Sequence, residues 1–261
     1  MDSTSTPLDG IIFGSCAALG VVVTALCAYR AQRKSTVANW CISFAFGICT
    51  VGVFFAIPSI AQWAESVTGI DNIAKLVAHI CAILWCVFLQ LAMVDIAYAP
   101  AFLRVAIARR AFVALAVLAA MIPMWLSANQ PGIDFTTAFA SNVPVRIYLI
   151  TYLFYVFFTC SELAFMCGKS ATYNWPGRPW SSFGYASSAV AAVLGILYAA
   201  SRGGYLIAYT METPWSLHLE EKMSPALAGL AVIFLFLGLT LPLIGTLIRE
   251  YRRRSTSQLE S

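Results

Sequence analysis

Residues 73–98 read IAKLVAHICAILWCVFLQLAMVDIAY. A hydrocarbon core about 30 Å thick takes roughly 20 apolar residues in a helix, and this stretch is long enough to cross it. It lacks the strict apolar–polar alternation of a lipid-facing strand. A helix, which satisfies its own backbone, is therefore the spanning structure it predicts. Six further stretches have the same character: 9–29, 38–60, 111–129, 146–168, 182–209 and 224–248. Of the 261 residues 60% are hydrophobic and 11% charged, where a soluble domain carries roughly 25% charged residues. The expected fold is all-α, a seven-transmembrane-helix bundle. It forms a single domain over residues 1–254, with loops of about 8–16 residues and a short polar tail at 255–261.

Charge in the connections predicts the orientation. Arg30, Arg33 and Lys34 follow the first span, Arg104, Arg109 and Arg110 the third, and Lys169 and Arg178 the fifth. Arg249, Arg252, Arg253 and Arg254 follow the last. Asp2, Asp9, Glu65, Asp71, Asp134, Glu212, Glu220 and Glu221 fall on the other side. Basic loops stay in the cytoplasm, so the N-terminus is expected outside and the C-terminus inside a cell membrane. The first span is not a signal peptide, because its positive charges follow the apolar run. The net charge of +4 belongs to this asymmetry. The partner it implies is the lipid bilayer, with the basic tail against anionic lipid, and not nucleic acid.

The cysteines Cys16, Cys27, Cys41, Cys49, Cys81, Cys86, Cys160 and Cys167 all fall in expected spans without a CxxC. With only His79 and His218 beside them, no metal spacing is assembled. They read as small packing residues. No cofactor is implied. Ser187, Ala191, Gly195, Ala199 and Gly203 recur every fourth residue in the sixth span, and Gly10, Gly14 and Ala18 in the first. Such ridges let helices approach closely in lipid. They place the sixth span at the centre of the bundle, and they serve packing within the chain or a homo-oligomer. Trp63, Tyr173, Trp180 and Trp215 fall near span ends, where amphipathic aromatics favour the interface.

Polar groups inside spans are costly and mark candidate sites. Asn72, Lys75 and His79 open the third span at helical spacing, and Gln90 lies three turns beyond His79 on the same face. Arg202 lies late in the sixth span, flanked by Tyr198 and Tyr205. If those spans touch, Lys75, His79 and Arg202 line a cationic recess suited to a carboxylate or phosphate on an apolar molecule. The alternative is internal pairing: Arg202 with Asp71, Glu65 or Glu212, and Lys75 reaching toward the interface. Asp95 and Glu162 form a second group near the cytoplasmic side. Carboxyls held in apolar surroundings are candidate catalytic acids. Their alternative is a salt bridge to Arg104, Arg109 or Lys169.

No HExxH, nucleophile elbow, phosphate loop or Asp-rich diphosphate motif occurs, and the seventh span has no lysine for a Schiff base. The run Gly69-Ile70-Asp71-Asn72-Ile73-Ala74-Lys75-Leu76-Val77-Ala78-His79 after Pro58 resembles a stretch of an actinobacterial seven-helix integral-membrane family. Members of that family are labelled automatically as transporters. Gly195-Ile196-Leu197-Tyr198-Ala199-Ala200-Ser201-Arg202, followed by Tyr205, is similar to the same family's sixth span. The resemblance implies a plasma-membrane bundle and singles out Asn72, His79 and Arg202. Many members continue into a cytoplasmic domain, which has no counterpart in the sequence up to Ser261.

Three functional readings follow. The first is a membrane-embedded binding module, a sensor or carrier, for a small amphipathic and anionic or lipid-like molecule. The second is an acid-catalysed enzyme on a prenyl or other lipid substrate, similar in architecture to small seven-helix terpene cyclases, with Glu162 or Asp95 as the acid. The third is an assembly subunit needing a membrane partner. The sequence leaves open whether the chain catalyses a reaction.

Overall fold

The structure, a computed structural model, describes residues 7–130 and 132–259, with side chains for 14–130, 132–242, 244 and 245. It consists of helices α1 (Pro7–Arg33), α2 (Val37–Phe55), α3 (Pro58–Thr68), α4 (Ile73–Ala97), α5 (Pro100–Ala128), α6 (Val143–Asn174), α7 (Pro179–Thr210) and α8 (Leu217–Leu259). A single 3-10 turn, Thr137–Phe139, interrupts the α5–α6 connection, and no strand occurs among the described residues. All helices but α3 are long and apolar enough to cross a membrane. Large side chains such as Val105 and Phe112 on α5 and Phe154, Phe158 and Phe165 on α6 stand exposed. That surface is stable in hydrocarbon and unfavourable in water.

Several helices, α5, α6, α7 and α8 among them, are longer than the apolar runs, and prolines explain several starts. A proline in the first turn loses no hydrogen bond and pre-sets the helical φ. Pro58, Pro100 and Pro179 each occupy such a position. The expected second span, 38–60, therefore divides: α2 ends at Phe55, Ile57 is extended, and α3 begins at Pro58. Gly69 closes α3 at φ 67, a left-handed conformation that favours glycine. The expected fourth span, 111–129, begins a further three turns earlier, so Arg104, Arg109 and Arg110 lie in α5 instead of in a loop. Connections shrink to 34–36, 98–99, 175–178 and 211–216, shorter than expected. Only 129–142 is long, and it buries Phe135, Thr137 and Ala140.

The α8 helix likewise takes in Glu220, Glu221 and Lys222, expected in a loop, and runs on through Arg249–Arg254. The side chains of that basic tail, like Asp2, Asp9 and Gly10, lie outside the described residues. Trp63, Tyr173, Trp180 and Trp215 are all exposed, as interfacial aromatics are.

Packing corrects the expected centre of the bundle. Half of the apolar window of α4 and of α6 is buried, against 28% for α7. The α6 helix packs against α4, α5 and α7; α2 packs against α1 and α4. The ridge on α7 is used within the chain. Ser187 donates to the Phe234 carbonyl of α8 at 2.6 Å, and Gly195 and Gly203 face Cys160 and Leu153 of α6. At Gly184 and Gly238 the α7 and α8 backbones approach closely. A Cβ on Gly184 would come within 2.6 Å of the Gly238 carbonyl oxygen. On α1, Gly14 faces open space and Ala18 is exposed, while Gly20 lies against Thr50 of α2. All eight cysteines are free, and all but Cys16 are buried.

Candidate functional site

Between these helices runs a cavity of about 500 Å³. Its lining on α4 extends from Ala82 to Ile96, roughly 20 Å at 1.5 Å rise per residue. One end, at the α1–α2 turn, carries Arg30, Lys34, Thr36, Asn39 and Asp95. Lys34 and Thr36 are exposed, so this end reaches the surface. The wall is apolar, with Ile42, Leu89, Val156, Leu163, Ala192 and Leu235 among its residues. The floor, toward the α3 end, carries Tyr152 and Tyr198. Volume, apolar walls and a few convergent polar groups are the attributes of a small-molecule site.

The mouth is built by helix ends. Thr36 caps α2, accepting from the Asn39 amide at 3.2 Å. Asp95, at the end of α4, accepts from the Ala38 amide at 2.9 Å and so ties α4 to the start of α2. A carboxylate at a helix N-terminus answers both the free amides and the helix dipole. Arg30 and Lys34 form no ion pair within 4 Å among the described residues. The opening thus keeps two cations against one committed carboxylate.

Behind the floor, His79 shares a 2.9 Å hydrogen bond through Nδ1 with the Tyr148 hydroxyl. Its ring lies 4.5 Å from that of Tyr152. Arg202 donates from Nη1 to the Tyr198 hydroxyl at 3.3 Å. Its Nε has no partner, and no carboxylate lies within 4 Å of it among the described residues. Asp71, Glu65 and Glu212, its expected partners, do not meet it. The carboxylate within electrostatic reach is Glu220, fully buried at the start of α8. Glu220 accepts from Ser201 at 2.7 Å and from Ser224.

The expected recess is brought together only in part. His79 lies within electrostatic reach of both Arg202 and Lys75, but α6 packs between α4 and α7. Lys75 is ion-paired with Asp134 of the α5–α6 connection. Asn72 precedes α4 at φ 60 instead of sharing its face. It donates to Asn129 Oδ1 at 3.1 Å and to the Ile133 carbonyl at 2.7 Å, and its own amide donates to Glu65 at 3.0 Å. Tyr205 packs edge-on to Trp215, 5.6 Å between ring centroids. Of the seven expected ligand contacts, Tyr198 alone is among the lining residues.

The two candidate acids separate as well. Asp95 lines the mouth, whereas Glu162 does not line the cavity. Glu162 is ion-paired with Arg110 of α5 and accepts from Gln90 Nε2 at 2.6 Å. The expected partners Arg104, Arg109 and Lys169 are not used; Lys169 lies over the Phe165 ring, 4.4 Å from its centroid. Arg110 also donates to the Ala106 carbonyl at 2.9 Å and lies over Tyr98.

Sequence reasoning missed Arg30, Lys34, Arg110, Tyr152 and Glu220. Pro100 as a helix-start signal would have moved Arg110 into a span. Nothing in the local pattern distinguishes Tyr152 from the other aromatics of α6. No group of three or more His, Cys, Asp or Glu able to hold a metal occurs among the described residues. Comparison of the chain with protein-family models, with curated proteins and with solved structures finds no match.

Proposed function

We propose that the chain is a membrane-embedded binding module, a sensor or carrier, for a small amphipathic anion or lipid-like molecule. The observation that carries this reading is the central cavity, with a cationic opening at Arg30 and Lys34 and an apolar shaft behind it. A carboxylate or phosphate at the opening meets guanidinium and ammonium donors, while its tail leaves water along the shaft. The anionic end belongs at the mouth and not at Lys75, His79 and Arg202. Lys75 is already paired, and neither His79 nor Arg202 is among the lining residues.

We read the α1–α2 end as cytoplasmic and the bilayer as the cell membrane, because basic residues gather at that end. The resemblance to a family labelled as transporters agrees with a carrier. Catalysis by Glu162 draws no support from its place, since its carboxylate is held by Arg110 and Gln90 away from the cavity. An oligomer draws none from the α7 ridge, which faces α6 and α8.

Native mass spectrometry of protein released gently from its own membrane tests the reading. The expected result is an acidic amphiphile bound to the wild type and depleted in the Arg30→Ala, Lys34→Ala double variant. An empty wild type, or an adduct indifferent to both residues, overturns it.

A further inference from the structure

We infer that the floor of the cavity is a second polar subsite, which receives a hydrogen-bond-accepting oxygen at the far end of the ligand. The inference rests on the cavity-binding reading and adds a requirement to it: the ligand carries oxygen at both ends.

A purely apolar tail would be matched by a purely apolar floor, and this floor is not. Tyr152 and Tyr198 both line it and lie within electrostatic reach of each other. The Tyr198 hydroxyl oxygen already accepts from Arg202 at 3.3 Å, so its proton is left to donate. No acceptor for that proton occurs among the described residues. No hydrogen bond joins the Tyr152 hydroxyl to a described residue either, and it is not among the fully enclosed polar atoms left without a partner, so it opens onto the cavity. A hydroxyl that no side chain satisfies offers its proton to whatever fills the cavity, and two lining one cavity define a donor pair.

Arg202 polarises this pair from behind. Its guanidinium makes Tyr198 a stronger donor, because hydrogen bonds in series reinforce one another. It is a positioning residue and does not touch the ligand. The shaft, roughly 20 Å from the α4 lining at 1.5 Å per residue, sets the spacing between the two ends. The ligand class is therefore a long, single-chain acid with a keto or similar acceptor oxygen at its far end.

Palmitate and its analogue with a keto group on the penultimate carbon test this directly. They compete for the full-length protein in lipid nanodiscs, with occupancy read by native mass spectrometry. The keto acid is expected to win by about fivefold to tenfold, the net value of one hydrogen bond. The Tyr152→Phe, Tyr198→Phe double variant keeps side-chain volume and is expected to bind palmitate as before while losing the preference.

Equal binding of the two acids to the wild type overturns the donor subsite and leaves the cavity reading intact. A preference that survives in the double variant also overturns it, since the oxygen then sits elsewhere. Binding of neither acid overturns the subsite and the cavity reading together.

Discussion

Arg110 on α5 and Glu162 on α6 form an ion pair within the bundle, and Gln90 of α4 completes it by donating to the second carboxylate oxygen. One polar knot thus joins three membrane helices. Arg110 is the more buried partner, with 5% of its side chain exposed against 29% for Glu162. Removing the carboxylate leaves the guanidinium in apolar surroundings without a counter-charge.

Glu162→Gln is therefore expected to destabilise the bundle by about 3 kcal/mol, the lower end for breaking a buried pair. Adding Arg110→Met to Glu162→Leu is expected to recover most of that loss, because neither charge then remains. Thermal unfolding in detergent measures both. A Glu162→Gln variant as stable as the wild type would assign the pair no structural weight.

Asn72 joins α4 to the connection between α5 and α6 through two side-chain donations. Asn72→Ala removes both and orphans the Ile133 carbonyl, at a cost of about 2 kcal/mol. The change is local, so limited proteolysis is the sensitive readout. Cleavage within 129–142 is expected to accelerate while the helices stay intact.

Gly238 faces the α7 backbone, where an added Cβ would lie 2.7 Å from the Gly184 carbonyl oxygen and 2.8 Å from the Ser188 amide. Backbone cannot give way as a side chain can. Gly238→Ala is expected to cost about 2 kcal/mol through overpacking. Gly168→Ala, where nothing lies within 4 Å, is expected to be neutral or slightly stabilising. Equal unfolding temperatures for the two variants would contradict the close α7–α8 seam.

Lys75→Ala tests which cation matters to a ligand. Lys75 is bound to Asp134 and is not among the lining residues. The variant is expected to keep amphiphile occupancy, while Arg30→Ala with Lys34→Ala reduces it about tenfold, equivalent to about 1.4 kcal/mol. Native mass spectrometry at a fixed amphiphile concentration reads both. Loss of occupancy in Lys75→Ala would return the anionic end to the α3 side.

The seven spanning helices were legible because apolar length is a property of each stretch alone. Their ends were less so. Arg104 and Arg110 look like loop charges until Pro100 is taken as a first-turn residue, and Glu220 looks exposed until α8 is seen to start at Leu217. The site was the least legible part. Lys75, His79 and Gln90 share a helix, but each is met by a different neighbour: Asp134, Tyr148 and Glu162. Periodicity tells which residues point the same way, and only the tertiary fold decides what stands opposite them.

The seam between Gly184 and Gly238 has a mechanical consequence. Two helices in backbone contact resist shear, so α7 and α8 behave as one stiff plank. Across the cavity, α2 meets α8 through the rings of Phe46 and Phe236, 5.2 Å between centroids. Rings can slide apart and re-seat without rupturing a hydrogen bond. Of the walls around the shaft, the α2–α8 contact, packed with Val23 and Cys27 of α1, is thus side chain against side chain and yields more readily than the α7–α8 seam.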